Sequence, residues 1–497
     1  MTAPSVDITK QDGNTGVVSP SQTGVLAIIA PAAGGTANQP GSYTRQSDML
    51  SEFIGGPLVE DSAYYFDTAQ LPVVAMSPTC STAAAFGTIN HSGEVGTSTI
   101  TFTGTPIDEF DIIVKFPLGG TVATGPISYQ YSLDNGSTWS AVQALGVATT
   151  AVLYLPRPST TSSGVTMNLG SGTIVTGDVV MVPTTHADMT NGDLVTALAA
   201  LQASKLPWDN LYIDTIATAT TIATVDAWLS SLEATGVFKM AWMNIRHKTK
   251  PVPTGETEAA YATAAGVVVG ATSTFRVDVG ADGGYVPSLV SGLLLFRQTA
   301  LGVATRSNPL PEGTDPAFVE LGPIPGFQIA DVNGNPLWHD EQIFPGLDNL
   351  RLSTLRTFPG KIGTYITNAN MLSVPGSDYV FDQHAKTSNT ACSIGYQELT
   401  DNLSRGVHKQ PEDPTTHKIY IDPLDAESIE ESANIAMGDE LSGQVQGVAM
   451  LLSRTDDLGS NAGATLNADI ETESLAYIKK FNVISKFVRQ ITATQTS

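Results

Sequence analysis

A chain of 497 residues with 41% hydrophobic and only 14% charged side chains has the material for roughly two to four domains with real cores. Its 48 acidic against 24 basic side chains give a net charge of -24, which argues against wrapping nucleic acid, a task that needs clustered Lys and Arg. No apolar run reaches membrane-spanning length, and no early segment joins a basic start, an apolar core and a cleavage site, so neither a membrane span nor a signal peptide is expected. Cys80 and Cys392 lie far apart with no metal spacing and read as free thiols of a reducing compartment. The densest basic cluster, Arg246, His247, Lys248 and Lys250, stops at a proline-containing turn and reads as a solvated strand end. Surfaces this poor in charge cost little to desolvate and suit extensive contacts between subunits.

Residues 1–22 are polar, with a strand-like piece at Val6–Ile8 and apolar Val17 and Val18. They read as a disordered tail or as an arm that orders on a partner. Gly24–Ala30 is an apolar run of buried-strand type, followed by a Pro/Gly loop. Ser47 is placed to cap a helix over Asp48–Ile54, and Gly55-Gly56 to stop it. A second helix follows over Pro57–Thr68, with Val59, Ala63, Tyr64 and Phe66 as buried positions, and Leu71–Met76 is a second buried strand.

This β-α-α-β order resembles the front of contractile tail sheath proteins. The matching residues are Gly24 and its loop, the turn Asn38-Gln39-Pro40, Ser47 through Phe53-Ile54-Gly55-Gly56, Tyr64-Tyr65-Phe66, and Leu71-Pro72-Val73-Val74. Where that family has an arginine after the strand, the chain has Met76-Ser77-Pro78.

Residues 80–185 are rich in Thr, Ser, Gly and Val and read as an inserted antiparallel β-sandwich. Within them Ser132, Asp134, Gly136, Thr138 and Trp139 match the Asp-box hairpin pattern S-x-D-x-G-x-T-W. There the Asp side chain bonds turn N–H groups, Gly takes positive φ, and Trp packs beneath. A single copy is poor evidence for a propeller. From Asn191 strands and helices alternate: helices at Gly192–Lys205, Thr224–Glu233, Thr257–Val269 and Pro287–Leu301, strands at Asn210–Ala217, Phe238–Arg246 and Phe275–Val279. That rhythm implies a parallel or mixed sheet covered by helices. No phosphate-binding glycine loop accompanies it, so it reads as a scaffold without a nucleotide.

A Pro/Gly-rich connector spans 306–347, and a structureless stretch that long is usually functional or interfacial. A hairpin across Pro359-Gly360, a helix within Ser377–Gly406, a helix capped by Asp422 and ending at Gly438, and strands at Val445–Ser453 and Ala464–Glu473 follow. The stretch Tyr477–Ile491 alternates, with Phe481, Val483, Phe487 and Ile491 on one face and Lys486 on the other, and it carries Lys479, Lys480, Lys486 and Arg489 without an acid. Glu412–Glu440 is correspondingly acidic. Such a strand needs a sheet edge, of its own domain or of a neighbouring subunit. The resemblance covers about the first eighty and the last hundred and fifty residues.

Trp338-His339-Asp340-Glu341 is the most site-like cluster, but no second ligand pair is visible and it reads as a neutral, exposed loop. His384 and Cys392 stand about two turns apart on one helix, roughly 12 Å, too far for a nucleophile–base pair. No catalytic residue, cofactor or metal is assigned. A carbohydrate-active or carbohydrate-binding protein built on the Asp-box module is the alternative, and further Asp boxes or paired carboxylates would favour it.

The resemblance implies an α+β, multidomain subunit. It would have an N-terminal arm at 1–22, a discontinuous α/β domain at 23–79 and 186–345, the inserted sandwich at 80–185, a sheath core domain at 346–478 and a C-terminal arm at 479–497. It further implies that copies polymerise helically around an inner tail tube and contract to drive it into a target envelope. Val6, Ile8, Val17, Val18, Phe481, Val483, Lys486, Phe487 and Arg489 would lie in strands exchanged between subunits. Baseplate and tail terminator proteins would be the other partners, with neither nucleic acid nor membrane involved. The particle would be a virion tail or injection machine assembled in the host cytoplasm.

Overall fold

The computed structural model describes residues 24–93, 95–249, 255–270, 272–330, 337–374, 376–403, 406–459 and 465–479. The central sheet is built from β1 (Leu26–Ile29), β2 (Gly41–Tyr43), β3 (Val73–Met76), and, beyond the insert, β15 (Asn210–Ile216), β16 (Ala241–Asn244) and β17 (Val277–Gly280). Their order is β17-β16-β15-β1-β3-β2, parallel except for the antiparallel edge strand β2. β1, β3, β16 and β17 are buried at every position, as expected of strands covered on both faces. Alternation divides them between two cores. Leu26 and Ile28 join α1 (Gln46–Phe53), α2 (Pro57–Ala69) and α6 (Thr299–Ser307) on one face. Ala27 and Ile29 join α3 (Asn191–Ser204), α4 (Ala219–Glu233) and α5 (Glu258–Val269) on the other. Thr190, Thr218 and Thr257 cap these last three through their hydroxyls, each such cap contributing about 1 kcal/mol.

Chain order reverses at β1, with β3 on one side and β15 on the other. Open α/β sheets usually bind ligands in the crevice at such a reversal. Here the two roots of the insert lie beside β15. Thr82 and Asp188 bridge main chain to main chain, and Thr215 Oγ1 donates to Asp188 Oδ1 at 2.9 Å.

The insert is a sandwich with its own core. One sheet comprises β4 (Ala85–Phe86), β5 (Asn90–Ser92), β7 (Asp111–Leu118), β9 (Ser128–Ser132), β10 (Gln143–Ala144) and β14 (Val179–Thr185). The other comprises β6 (Ile100–Gly104), β11 (Thr150–Tyr154) and β12 (Ser162–Leu169). A small ribbon pairs β8 (Gly120–Thr121) with β13 (Thr173–Ile174). β12 buries every second residue, the signature of a strand with one face inward.

Several local expectations are corrected. The helix expected over Pro287–Leu301 is a hairpin of β18 (Gly283–Pro287) and β19 (Leu294–Gln298), with α6 starting only at Thr299. Leu293 and Leu295 of that hairpin enter the core of the sandwich, so tertiary packing decides against the helix. α1 begins at Gln46, and Arg45 rather than Ser47 stands at its N-cap with no side-chain bond. Tyr65, not Phe66, is the fully buried aromatic of α2. The described members of the basic cluster are packed rather than solvated: Arg246 pairs with Glu256 at 2.6 Å, Lys248 is buried beside Glu258, and the His247 ring packs on Phe296 and Trp338, while Lys250 lies outside the described residues. The connector is not structureless, since Ile324, Phe327, Ile329 and Trp338 lie in the core on the α2 face.

The C-terminal part pairs β20 (Leu355–Arg356) with β21 (Tyr365–Ile366) across Pro359-Gly360. Then follow α7 (Asp382–Asp401), α8 (Pro423–Glu440), β22 (Val445–Leu452) and β23 (Ala468–Ser474). Asp422 caps α8, accepting from Leu424 N–H at 2.9 Å, with Pro423 in the first turn. β22 and β23 form an antiparallel pair, with α8 on β22 and α7 on β23 around a fourth core.

Candidate functional site

The Asp-box turn does more than close a hairpin. Asp134 is buried at the end of β9, where its carboxylate accepts from Ser132 Oγ (2.8 Å), Thr138 N–H (2.7 Å) and Thr138 Oγ1 (2.9 Å). Asn135 and Gly136 take positive φ, and Trp139 Nε1–H donates to the Gly136 carbonyl at 2.9 Å under the Lys115 ammonium. The fourth bond leaves the motif: Leu294 N–H of β19 donates to Asp134 Oδ2 at 3.1 Å. The sequence pattern encodes the local turn and contains no trace of this long-range partner.

Beside it, Arg297 of β19 is buried and forks onto Asp108 of the insert, with bonds of 3.1 and 2.8 Å. Its Nε stands 3.5 Å from Asp61 of α2. Burial, and then Asp214, push the Asp61 carboxyl well above its ordinary range. Burial also lifts its neighbour Glu60 to about 6, and Ser288 Oγ donates to it at 2.7 Å. The hairpin β18–β19 thus fastens the insert to α2 and the central sheet.

A cavity of about 390 Å³ opens at the same joint, lined by Phe110, Ile112, Val182, His247, Phe296 and Trp338 among others. Asp111 and Asp134 bridge main chain to main chain at its wall. The Asp134 carboxylate is consumed by its four bonds and Tyr285 OH reaches Asp111 at 3.3 Å, the geometry of a structural joint.

The cluster 338–341 is buried, contrary to the exposed loop expected of it: Trp338 is 0% and His339 3% exposed. His339 Nδ1 and Nε2 lie 2.8 Å from Glu258 of α5 and from Glu341. Its N–H donates to Asp282 at 2.6 Å, and Asp340 accepts from Thr357 Oγ1 at 2.6 Å. Burial pulls the imidazole down, but the two carboxylates outweigh it and lift it to about 9. A doubly bonded imidazolium is a strut. Among the described residues no group of three or more His, Cys, Asp or Glu is placed to hold a metal ion, and no helix is long and apolar enough to cross a membrane. His384 Nδ1 bonds the Asp378 carbonyl at 2.9 Å, and burial pushes the Cys392 thiol up.

The β22–β23 pair has two unequal edges. Met450 N–H donates to Asn434 Oδ1 and Leu452 N–H to Glu430 Oε1, each at 2.6 Å. Alternation then turns Ala449 and Leu451 toward β23, opposite Glu471 and Asp469. The outer edge of β22 is therefore closed at Met450 and Leu452 by side chains of α8. On β23 the same alternation turns the main chain of Ala468, Ile470 and Thr472 outward, where no strand pairs with it among the described residues. Asp469, Glu471 and Glu473 are exposed along that strand. Val6, Ile8, Val17, Val18, Phe481, Val483, Lys486, Phe487 and Arg489 lie outside the described residues. Lys479 is within them and pairs with Asp315, over the Phe381 ring.

No family model matches the chain, and no curated protein does. Among solved structures it is similar to the sheath complex of an extracellular contractile injection system in its contracted state (9% identity, TM-score 0.49, 99% of this chain and 98% of that one). It is also similar to a sheath tail protein from Listeria innocua (12% identity, TM-score 0.43, 91% and 96% covered) and to one from Desulfitobacterium hafniense (10%, 0.45, 94% and 100%). At these identities and TM-scores no residue role is carried across from them.

Proposed function

We propose that the chain is the structural subunit of a contractile tail sheath, polymerising helically around an inner tube through strands exchanged between copies. The observation that carries this reading is the acid-flanked outer edge of β23, with which no strand pairs among the described residues, beside a β22 edge that α8 closes. An isolated two-stranded sheet is marginal in water, and an open edge pairs readily with another extended chain. The stretch from Lys480 to Ile491 supplies the complement: alternating Phe481, Val483 and Phe487 to extend an apolar face, and Lys480 and Lys486 on the opposite face to meet Asp469, Glu471 and Glu473. Main-chain bonds carry most of that affinity, since rim ion pairs contribute at most about 1 kcal/mol each. Val6, Ile8, Val17 and Val18 form the second arm, reaching another neighbour. Contraction exchanges interfaces between packed subunits, drawing on packing stored at assembly rather than on a nucleotide. The inner tube, baseplate and terminator proteins are the remaining partners, and assembly takes place in the host cytoplasm.

Negative-stain microscopy with sedimentation tests this on the full chain and on one ending at Tyr477. Regular hollow cylinders from the full chain and none from the shortened one are expected. A monodisperse monomer from both overturns the reading.

A further inference from the structure

The chain enters the described fold at Gly24 and leaves it at Lys479, and both places are tied to one short piece of the connector. At the entry, Gly24 and Val25 N–H donate to Asp209 Oδ2 at 2.5 and 2.8 Å. The Gly24 carbonyl accepts from Tyr65 OH, which accepts from Asn308 Nδ2 at 3.0 Å, while Asn308 Oδ1 accepts from Asn210 at 2.9 Å. Gly24 sits at φ +99°, a conformation that glycine adopts without strain, and a Cβ there would fall 2.4 Å from Leu71 Cδ1.

At the exit, Tyr477 OH donates to the Gly313 carbonyl at 2.6 Å and Lys479 pairs with Asp315. Gly313 itself presses on the start of the terminal sheet: its N–H donates to Gln444 Oε1 at 3.3 Å, and a Cβ would fall 2.1 Å from the Gln444 carbonyl. Just upstream, Lys386 of α7 donates to the Ser307 carbonyl at 2.8 Å inside the fold. Glu312 lies between the two ends, with one carboxylate oxygen buried and without a hydrogen bond. Burial first, with Glu440 and Asp209 adding, raises its carboxyl.

We propose that residues 308–315 are a common mount for the entering and leaving chain, so that loosening one attachment loosens the other. The same piece holds Gln444, and Ser307 immediately before it holds α7, so the mount is also where the terminal sheet meets the α/β domain. In an assembly, a pull on either arm would reach that meeting point; this consequence rests on the sheath reading, whereas the coupling itself belongs to the single chain.

Hydrogen exchange on the unassembled full chain tests it. The double variant Tyr477→Phe/Lys479→Ala removes both exit bonds. About fivefold faster exchange is expected at the amides of Gly24 and Val25 as well as at 313–315, the effect of weakening a local opening by one partly exposed ion pair and one hydrogen bond. Asp209→Asn, which weakens the entry, is expected to speed exchange at 313–315 in return. Faster exchange confined to the mutated end, in both variants, overturns the proposal. Coupled exchange in a chain that never forms cylinders would overturn the sheath reading and leave the mount standing.

Discussion

Arg297 joins three parts of the chain that are remote in sequence: its own hairpin, the insert through Asp108, and α2 through Asp61. A fully desolvated guanidinium is tolerated only because it is paired and forked. Arg297→Met leaves the buried Asp108 uncompensated and is expected to cost about 3–5 kcal/mol in urea unfolding. Adding Asp108→Leu should recover much of that loss, and a double variant as unstable as the single one would assign the cost to packing alone. Asp134→Ala strips four donors of their acceptor, among them Leu294 N–H across the joint. A loss of about 2–3 kcal/mol is expected, with Asp134→Asn intermediate. A value near zero for the Ala variant would mean that the turn holds without its carboxylate.

At the scale of elements, His339 ties α5 to the connector through Glu258 and Glu341. Its folded value of about 9 lies above the 6.5 of an unfolded imidazole. The strut's contribution is therefore complete below pH 6.5 and is lost as pH rises through 9, roughly 3 kcal/mol in all. Melting temperatures taken from pH 6 to 10 should fall across that window, and His339→Gln should flatten the fall. An unchanged slope in the variant would place the alkaline sensitivity elsewhere. The sequence shows this cluster but not its burial, because the Pro/Gly-rich composition of the connector suggests a solvated loop while Ile324, Phe327 and Trp338 draw it into the core. Periodicity captured the five parallel strands of the central sheet, whose apolar runs are dictated by burial on both faces, but not the short, half-exposed edge strand β2, and composition captured the change of character at the insert. It failed at β18–β19, where apolar residues that pattern like a helix are the part of the chain the sandwich core requires. The Asp-box residues were legible because their bonds are local; Arg297, Leu294 and Asp108 were not, because nothing in their spacing records a contact made across domains.

For the whole molecule, the consequence lies in the inequality of the two edges of the terminal sheet. A strand added to β22 would first have to displace Asn434 and Glu430 from Met450 and Leu452. Among the described residues no strand pairs with the outer edge of β23, so a strand added there has none to displace. Proline separates these cases, because it removes one N–H and is tolerated on an edge strand when that N–H faces outward. Thr472→Pro sits opposite Val448 on the outward-facing register of β23 and should leave the hairpin folded. It should nevertheless abolish cylinder formation, read by sedimentation beside an unchanged circular-dichroism spectrum. Glu471→Pro, on the inward-facing register opposite Ala449, breaks the ladder itself and should lose both the fold of the terminal part and assembly. Cylinders from the Thr472→Pro chain at the wild-type concentration would show that β23 is not the edge that accepts a neighbour, and would leave the α8-guarded edge of β22, opened by movement of Asn434, as the remaining route.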